Sequence, residues 1–208
     1  MTIRVPYSLE VLWEELLRRK PTQEELARVA EKVPKLSLKA AKELLKRYSH
    51  PSREILVRFL QLLSSEKKET KRIAHLLLKY QDLGEEELVL ILEKGWAEDK
   101  EKAAKRLLSR SDISEETIYL LVRQAPPSLR NEAIQKLLSQ RSLDIMDVFF
   151  ILDELGEKEK LSSVFEKRLE EGSLTNTQLL IITARFHPIK AVSYTHLRAH
   201  ETRHNLVC

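Results

Sequence analysis

Four side chains near the C-terminus have the spacing of a metal site. His196, His200, His204 and Cys208 recur every four residues. On a helix they would share one face and offer three imidazoles and a thiolate, a ligand set suited to zinc. A second constellation is cationic. Lys35, Lys39, Lys42 and Lys46 follow an i, i+4, i+7, i+11 spacing and fall on one helix face. Lys71, Arg72, Lys79, Lys102, Lys105, Arg106, Arg110, Lys136 and Arg141 occupy later helices of the same kind. Stacked side by side, these helices would form a basic ridge able to contact phosphates. Glu43, Glu101 and Glu132 are interspersed among the cations, which equally suits a solvated outer face. A third set lies on the alternate helices, where Arg58, Arg123 and Arg185 accompany Phe59, Tyr119, Phe149, Phe150 and Phe186. Most of these aromatics are expected in the core.

Catalysis has little to point at. The 4 glycines are scattered, so no phosphate-cradling loop forms. No nucleophile elbow, His-Glu-x-x-His or Cys-x-x-Cys occurs. His50, His75 and His187 are far apart, and none has an evident carboxylate partner in sequence. Glu85–Glu87 and Glu115–Glu116 fall in the first turns of predicted helices, where they favour the helix dipole by about 0.3–1 kcal/mol each. No catalytic residue, metal or cofactor is therefore expected.

The zinc reading meets a stronger competitor. Residues 192–208 read VSYTHLRAHETRHNLVC. This resembles a conceptual translation of a transposase-type sequencing-library adapter, in which VSYTHLRAHET is followed by a variable index and a segment ending in NLVC. Both blocks stand here in order, at Val192–Thr202 and Asn205–Cys208. The resemblance implies that the tail is not native protein, that its histidines form no site, and that the natural chain continues beyond Ala191.

The elements that would carry the remaining candidates are helices. Hydrophobic residues make up 42% and charged residues 33% of the 208 positions. Abundant Leu, Glu and Lys with few aromatics and little Gly favour helix over sheet. Ser8 precedes a stripe of Leu9, Leu12, Trp13, Leu16 and Leu17. Thr22-x-x-Glu25 is a capping box that opens the next helix. Pro34 ends that helix, Ser37 caps LKAAKELLKRY, and Ser52 starts REILVRFLQLL. Further helices are predicted near 69–80, 85–94, 99–110, 115–124, 128–140, 144–154, 158–170 and 176–186. Thr175-x-x-Gln178 is a second capping box. Gly156 and Gly172 sit where a left-handed cap residue is wanted. Pro126-Pro127 suits the first turn of a helix.

These make six helix pairs, the later ones starting near 37, 69, 99, 128 and 158. A period of about thirty residues signals a helical solenoid. Ala41/Leu45, Ala74/Leu78, Ala104/Leu108 and Ala133/Leu137 recur in the first helices. The small residue lets a neighbouring helix approach, and the leucine fills the space one turn later.

Ser128-Leu-Arg-Asn-Glu-Ala-Ile-Gln-Lys-Leu-Leu138 and Asp99-Lys-Glu-Lys-Ala-Ala-Lys-Arg-Leu-Leu108 carry a basic residue, then Ala, then Leu. In this the chain resembles short-period HEAT-like repeat proteins over about residues 37–187. Most repeats lack the Pro and Arg of well-formed HEAT units, which leaves other α-solenoid families open. The resemblance implies an all-α superhelix of about six antiparallel helix pairs. Residues 1–191 would then form a single repeat domain, in which 1–36 could serve as an N-terminal cap pair. The alternate helices would line a concave face on which a protein partner binds. Nucleic-acid binding, as in HEAT-like DNA glycosylases, is the main alternative. An accessory role in tetrapyrrole attachment, as in phycobilin lyases, is a third. The longest apolar runs are far short of the roughly 20 residues a membrane span needs. Cys208 is the only cysteine, so a reduced cytoplasmic setting is the default expectation.

Overall fold

The computed structural model describes residues 8–139 and 144–185. Among them are twelve α-helices and no strand. They are α1 (Leu9–Arg18), α2 (Gln23–Lys32), α3 (Ser37–Arg47), α4 (Arg53–Leu62), α5 (Lys68–Leu77), α6 (Glu85–Lys94), α7 (Ala97–Leu108), α8 (Glu115–Gln124), α9 (Pro127–Ser139), α10 (Ile145–Glu154), α11 (Lys158–Glu170) and α12 (Asn176–Arg185). The expected all-α, solenoid-like architecture of packed neighbouring pairs is present. Arg141, Phe186, His187 and the tail at 192–208 lie outside the described residues, as does the histidine spacing. The chain divides into two compact units, with the division inside α9 between Lys136 and Leu137.

In the first unit the helices form two layers. Helices α2, α4, α6 and α8 contact one another in series, and α3 packs on α5. The tightest neighbours are α2 with α3, α4 with α5, and α6 with α7. The closest pairs thus join each alternate helix to the helix that follows it. A two-residue connector, Gly95-Trp96, links α6 to α7, which leaves no room for splaying.

The period is clearest at the helix N-caps. Thr22, Ser52, Gly84 and Ser114 cap α2, α4, α6 and α8. Each follows an apolar residue: Pro21, Pro51, Leu83 and Ile113. Three positions before that apolar residue stand Tyr48, Tyr80 and Arg110 in the second, third and fourth repeats. All three reach back one repeat and donate to the same kind of carbonyl. The Tyr48 hydroxyl donates to Pro21 O at 2.9 Å, the Tyr80 hydroxyl to Pro51 O at 2.8 Å, and Arg110 Nη1 to Leu83 O at 3.2 Å. Pro21 and Pro51 are buried, so each carbonyl depends on its donor. Tyr80→Phe should cost about 1 kcal/mol, the net worth of one hydrogen bond plus the orphaned acceptor. A urea melt against wild type checks it. An unchanged midpoint would show that water replaces the hydroxyl.

Burial follows the small-residue logic with one shift. Ala41, Ala74, Ala104 and Ala133 are all fully buried. The deepest leucines are Leu44, Leu77 and Leu107, three residues after the alanine, while Leu45 is only half-buried. At the expected i+4 position Leu78 and Leu108 are buried and Leu137 is fully so, which leaves Leu45 as the exception. Ser37 is not a cap. A 3-10 turn at Pro34–Leu36 precedes α3, and the Ser37 hydroxyl donates to Pro34 O. Helix α5 stops at Leu77, where Leu76 O and Leu77 O accept from Lys79 N and Tyr80 N in a tightened last turn. That turn swings Tyr80 toward Pro51. Trp13 of α1 is buried, but Leu9 and Leu12 of the same stripe are exposed.

In the second unit, Phe149 of α10 and Phe165 of α11 are buried edge to face, ring centroids 6.2 Å apart. Gly156 and Gly172 adopt φ +71° and +62°. Each closes a helix with a paired cap. Gly156 N donates to Asp153 O and Glu157 N to Leu152 O, and Gly172 N donates to Leu169 O and Ser173 N to Arg168 O. The Thr175–Gln178 capping box opens α12 as expected.

Candidate protein-binding groove

The alternate helices α4, α6 and α8 stack with their N-termini in register. Across this edge runs an open groove of about 900 Å3, lined chiefly by Arg53, Val57, Gln61, Glu86, Val89 and Leu90. Its floor is apolar because α4 and α6 each turn their fifth helical position outward. Val57 and Val89 occupy that position and are half-buried, and Leu90 follows beside Val89. Its wall is the acidic first turn of α6.

The wall is held rigidly. Glu87 accepts from both Arg53 Nε and Nη2 across the repeat boundary, and from the Gly84 N–H that starts its own helix. Glu85 reaches the next repeat and accepts from Ser114 N at 2.9 Å, from the Ser114 hydroxyl at 2.5 Å and from the Thr117 hydroxyl. Two repeats earlier, Gln23 Oε1 accepts from Ser52 N at 2.9 Å. The first helical residue thus caps its successor's helix twice. Partial burial works against ionisation of Glu87, but Arg53 and the Gly84 N–H outweigh it and hold the carboxyl below its ordinary value. Burial opposes Glu85 likewise, and the Ser114 and Thr117 donors again prevail.

Glu87 therefore couples folding to pH. A depressed carboxyl stabilises the fold above its unfolded value of about 4.3, and the contribution is lost as pH falls through the lower folded value. Glu87→Gln should lie below wild type by a constant Tm gap from pH 7 to pH 5, closing below about pH 4. A gap that persists undiminished in acid would show that charge is not what Glu87 contributes.

Among the residues expected to bind, Arg58 is pinned. Its Nη1 donates to Glu24 at 2.7 Å, its Nε to Glu31 at 2.6 Å and its Nη2 to Glu31 at 2.9 Å. The two carboxylates raise its pKa further and are themselves lowered by it. Arg58 thus ties α4 to α2. Arg123 is exposed near the end of α8. Arg185 ends α12, and its side chain lies outside the described residues. Phe59 and Phe149 are core, and Phe150 is 38% exposed.

Lys35, Lys39, Lys42 and Lys46 are all exposed, and Lys42 lies 3.9 Å from Glu69. Lys105 pairs with Glu101 at 2.8 Å within α7. Arg106 donates to Tyr80 O at 3.0 Å, Arg110 to Leu83 O, and Lys136 to Leu108 O at 2.9 Å and to Arg110 O. The proposed ridge is thereby thinned. Three of its cations serve as donors to carbonyls of an earlier repeat, a pattern invisible in charge counts.

Two features were missed in the sequence. Lys94, at the end of α6, donates its ammonium to Leu60 O and Leu63 O and so caps α4. His75 does have a carboxylate partner. Its Nδ1 lies 3.0 Å from Asp99 Oδ1, and its ring lies 5.9 Å from that of Trp96. Asp99 is 1% exposed and its Oδ2 has no partner among the described residues. Only the recurrence of period thirty, joining α5 to the first turn of α7, could have suggested that contact. His50 lines a smaller cavity of about 260 Å3 with Tyr80 and Lys79.

Among the described residues, no group of three His, Cys, Asp or Glu is placed to hold a metal, and no helix is long and apolar enough to cross a membrane. No protein-family model, curated protein or solved structure matches the chain.

Proposed function

We propose that the chain is a HEAT-like helical-repeat scaffold that works in the cytoplasm by binding a protein partner, without catalysis of its own. The observation that carries this reading is the groove over α4, α6 and α8. Its half-buried valines and leucine stand on a frame braced by Arg53–Glu87 and Glu85–Ser114. A rigid, partly apolar surface presented by stacked repeats binds at low ordering cost. The test is a photo-crosslinking residue placed at Leu90 or, as control, at Lys39 of the full chain. A saturable protein crosslink from Leu90 and not from Lys39 is expected. No crosslink from Leu90, together with turnover of a small molecule, would overturn the reading.

One observation favours nucleic acid as the second reading. Lys35, Lys39, Lys42 and Lys46 form an exposed cationic face. A mobility shift with duplex DNA that weakens steeply with salt and is lost in a K35A/K39A/K42A/K46A variant would establish it.

A further inference from the structure

The acidic residues beside the groove are not scattered. In the first unit the second residue of each alternate helix is a glutamate: Glu24 in α2, Glu54 in α4, Glu86 in α6 and Glu116 in α8. Glu24 is engaged by Arg58 and Arg28. Glu54, Glu86 and Glu116 are exposed and make no hydrogen bond or ion pair with the described residues. One uncommitted carboxylate therefore stands on each of the three helices that make the groove. Of these, Glu86 lines the groove together with Val57, Val89 and Leu90, and Glu54 and Glu116 hold the same helical position on α4 and α8. In α3, on the opposite layer, Lys39, Lys42, Lys46 and Arg47 outnumber Glu43.

We infer that the groove takes a basic amphipathic helix, one whose apolar face meets Val57, Val89 and Leu90 and whose flanking Lys or Arg side chains meet Glu54, Glu86 and Glu116. This rests on the scaffold reading and adds the partner's chemistry. Two arguments carry it. The first is charge complementarity: a row of unpaired carboxylates beside an apolar floor repels an acidic partner and steers a basic one. The second is dimension. Neighbouring helices pack about 8–10 Å apart, so three alternate helices span roughly 16–20 Å between their axes. A helix rises 1.5 Å per residue, so about 11–13 residues cross the groove, three to four turns of an amphipathic segment. A cationic stretch without apolar anchors would gain only screened surface charge.

The test uses the full chain and three fluorescent peptides of about 16 residues with the same helical leucine pattern and lysine, glutamine or glutamate on the polar face. Anisotropy at low salt should show the lysine peptide binding at least tenfold tighter than the glutamate peptide. The glutamine peptide should fall between, and the lysine affinity should drop as salt rises. E54Q/E86Q/E116Q should weaken the lysine peptide several-fold, and Val89→Asp should weaken all binding, each with helicity unchanged by circular dichroism. Equal binding of all three peptides would overturn the charge inference and leave the scaffold reading standing. Absence of peptide binding while Leu90 still crosslinks a protein would overturn the helical-partner inference alone. Absence of both would overturn the two together.

Discussion

Phe59→Ala should destabilise the first unit by about 3–5 kcal/mol, the range for removing a fully buried aromatic side chain. Phe59 is completely inaccessible in α4. Counted from the helix caps, it occupies the position that Ile91 fills in α6 and Leu121 in α8, both also fully buried. It is the bulkiest of the three, so truncation leaves the largest void. Helix α4 packs on α2, α5 and α6, and a cavity there weakens three interfaces at once. In a stack whose stability is a sum of neighbour contacts, damage to an inner repeat costs more than damage to an end. Urea unfolding of the variant should show a much lower midpoint, or a split transition in which the parts on either side of α4 melt separately. A loss below 1 kcal/mol would mean that the site collapses around the missing ring.

Gly95→Ala should cost about 1–3 kcal/mol, the usual penalty for overfilling a packed site. The reason is not backbone freedom. Gly95 has φ −74° and ψ 175°, an extended conformation open to any residue. The obstacle is space: an added Cβ would lie 2.7 Å from Ile91 O and 3.1 Å from Asp99 Cβ. The first neighbour is backbone inside α6 and cannot step aside alone. Relief requires moving α7 away from α6, which are the tightest-packed helices in the unit. Gly156 provides the control. It has φ +71° and nothing within 4 Å of an added Cβ. Gly156→Ala should therefore lose about 1–2 kcal/mol through left-handed backbone strain alone. Thermal melts of both variants separate the two mechanisms. Introducing alanine at Asp99 as well would remove the side chain beyond its Cβ but leave the Ile91 carbonyl in place, so Gly95→Ala should remain costly in that background.

The fold was legible because each local signal agreed with its neighbours. Thr22-x-x-Glu25 named a helix start, and Glu25 N donates to the Thr22 hydroxyl as a capping box requires. Pro127 sits at the start of α9, and both left-handed glycines close helices. Helix ends were less legible. Tyr80 reads as the last residue of a helix by periodicity, yet it leaves α5 to satisfy Pro51, 29 residues away. Ser37 reads as a cap, yet a 3-10 turn supplies the start of α3. The site was the hardest to see. Sequence singles out cations, and Arg58 and Arg106 prove to be held by the fold itself. What marks the groove is carboxylates at a shared register. Glu54, Glu86 and Glu116 look like ordinary dipole-favouring residues until α4, α6 and α8 are set side by side.

The bonds to backbone carbonyls between repeats have a direction in time as well as in space, although the Arg53–Glu87 pair runs the other way. Tyr48, Tyr80, Lys94, Arg106, Arg110 and Lys136 each supply a donor to a carbonyl that precedes them by 26 to 34 residues. A chain made from its N-terminus releases the carbonyl first and the donor one repeat later. In the first unit, each new repeat therefore follows one that already carries the carbonyl acceptors for these donors. Synthesis proceeds at about 5–20 residues per second, so a repeat of this length emerges in a few seconds, long compared with the microseconds in which a helix forms. In the first unit, a repeat that folds as it emerges finds the carbonyl acceptors of its predecessor already in place.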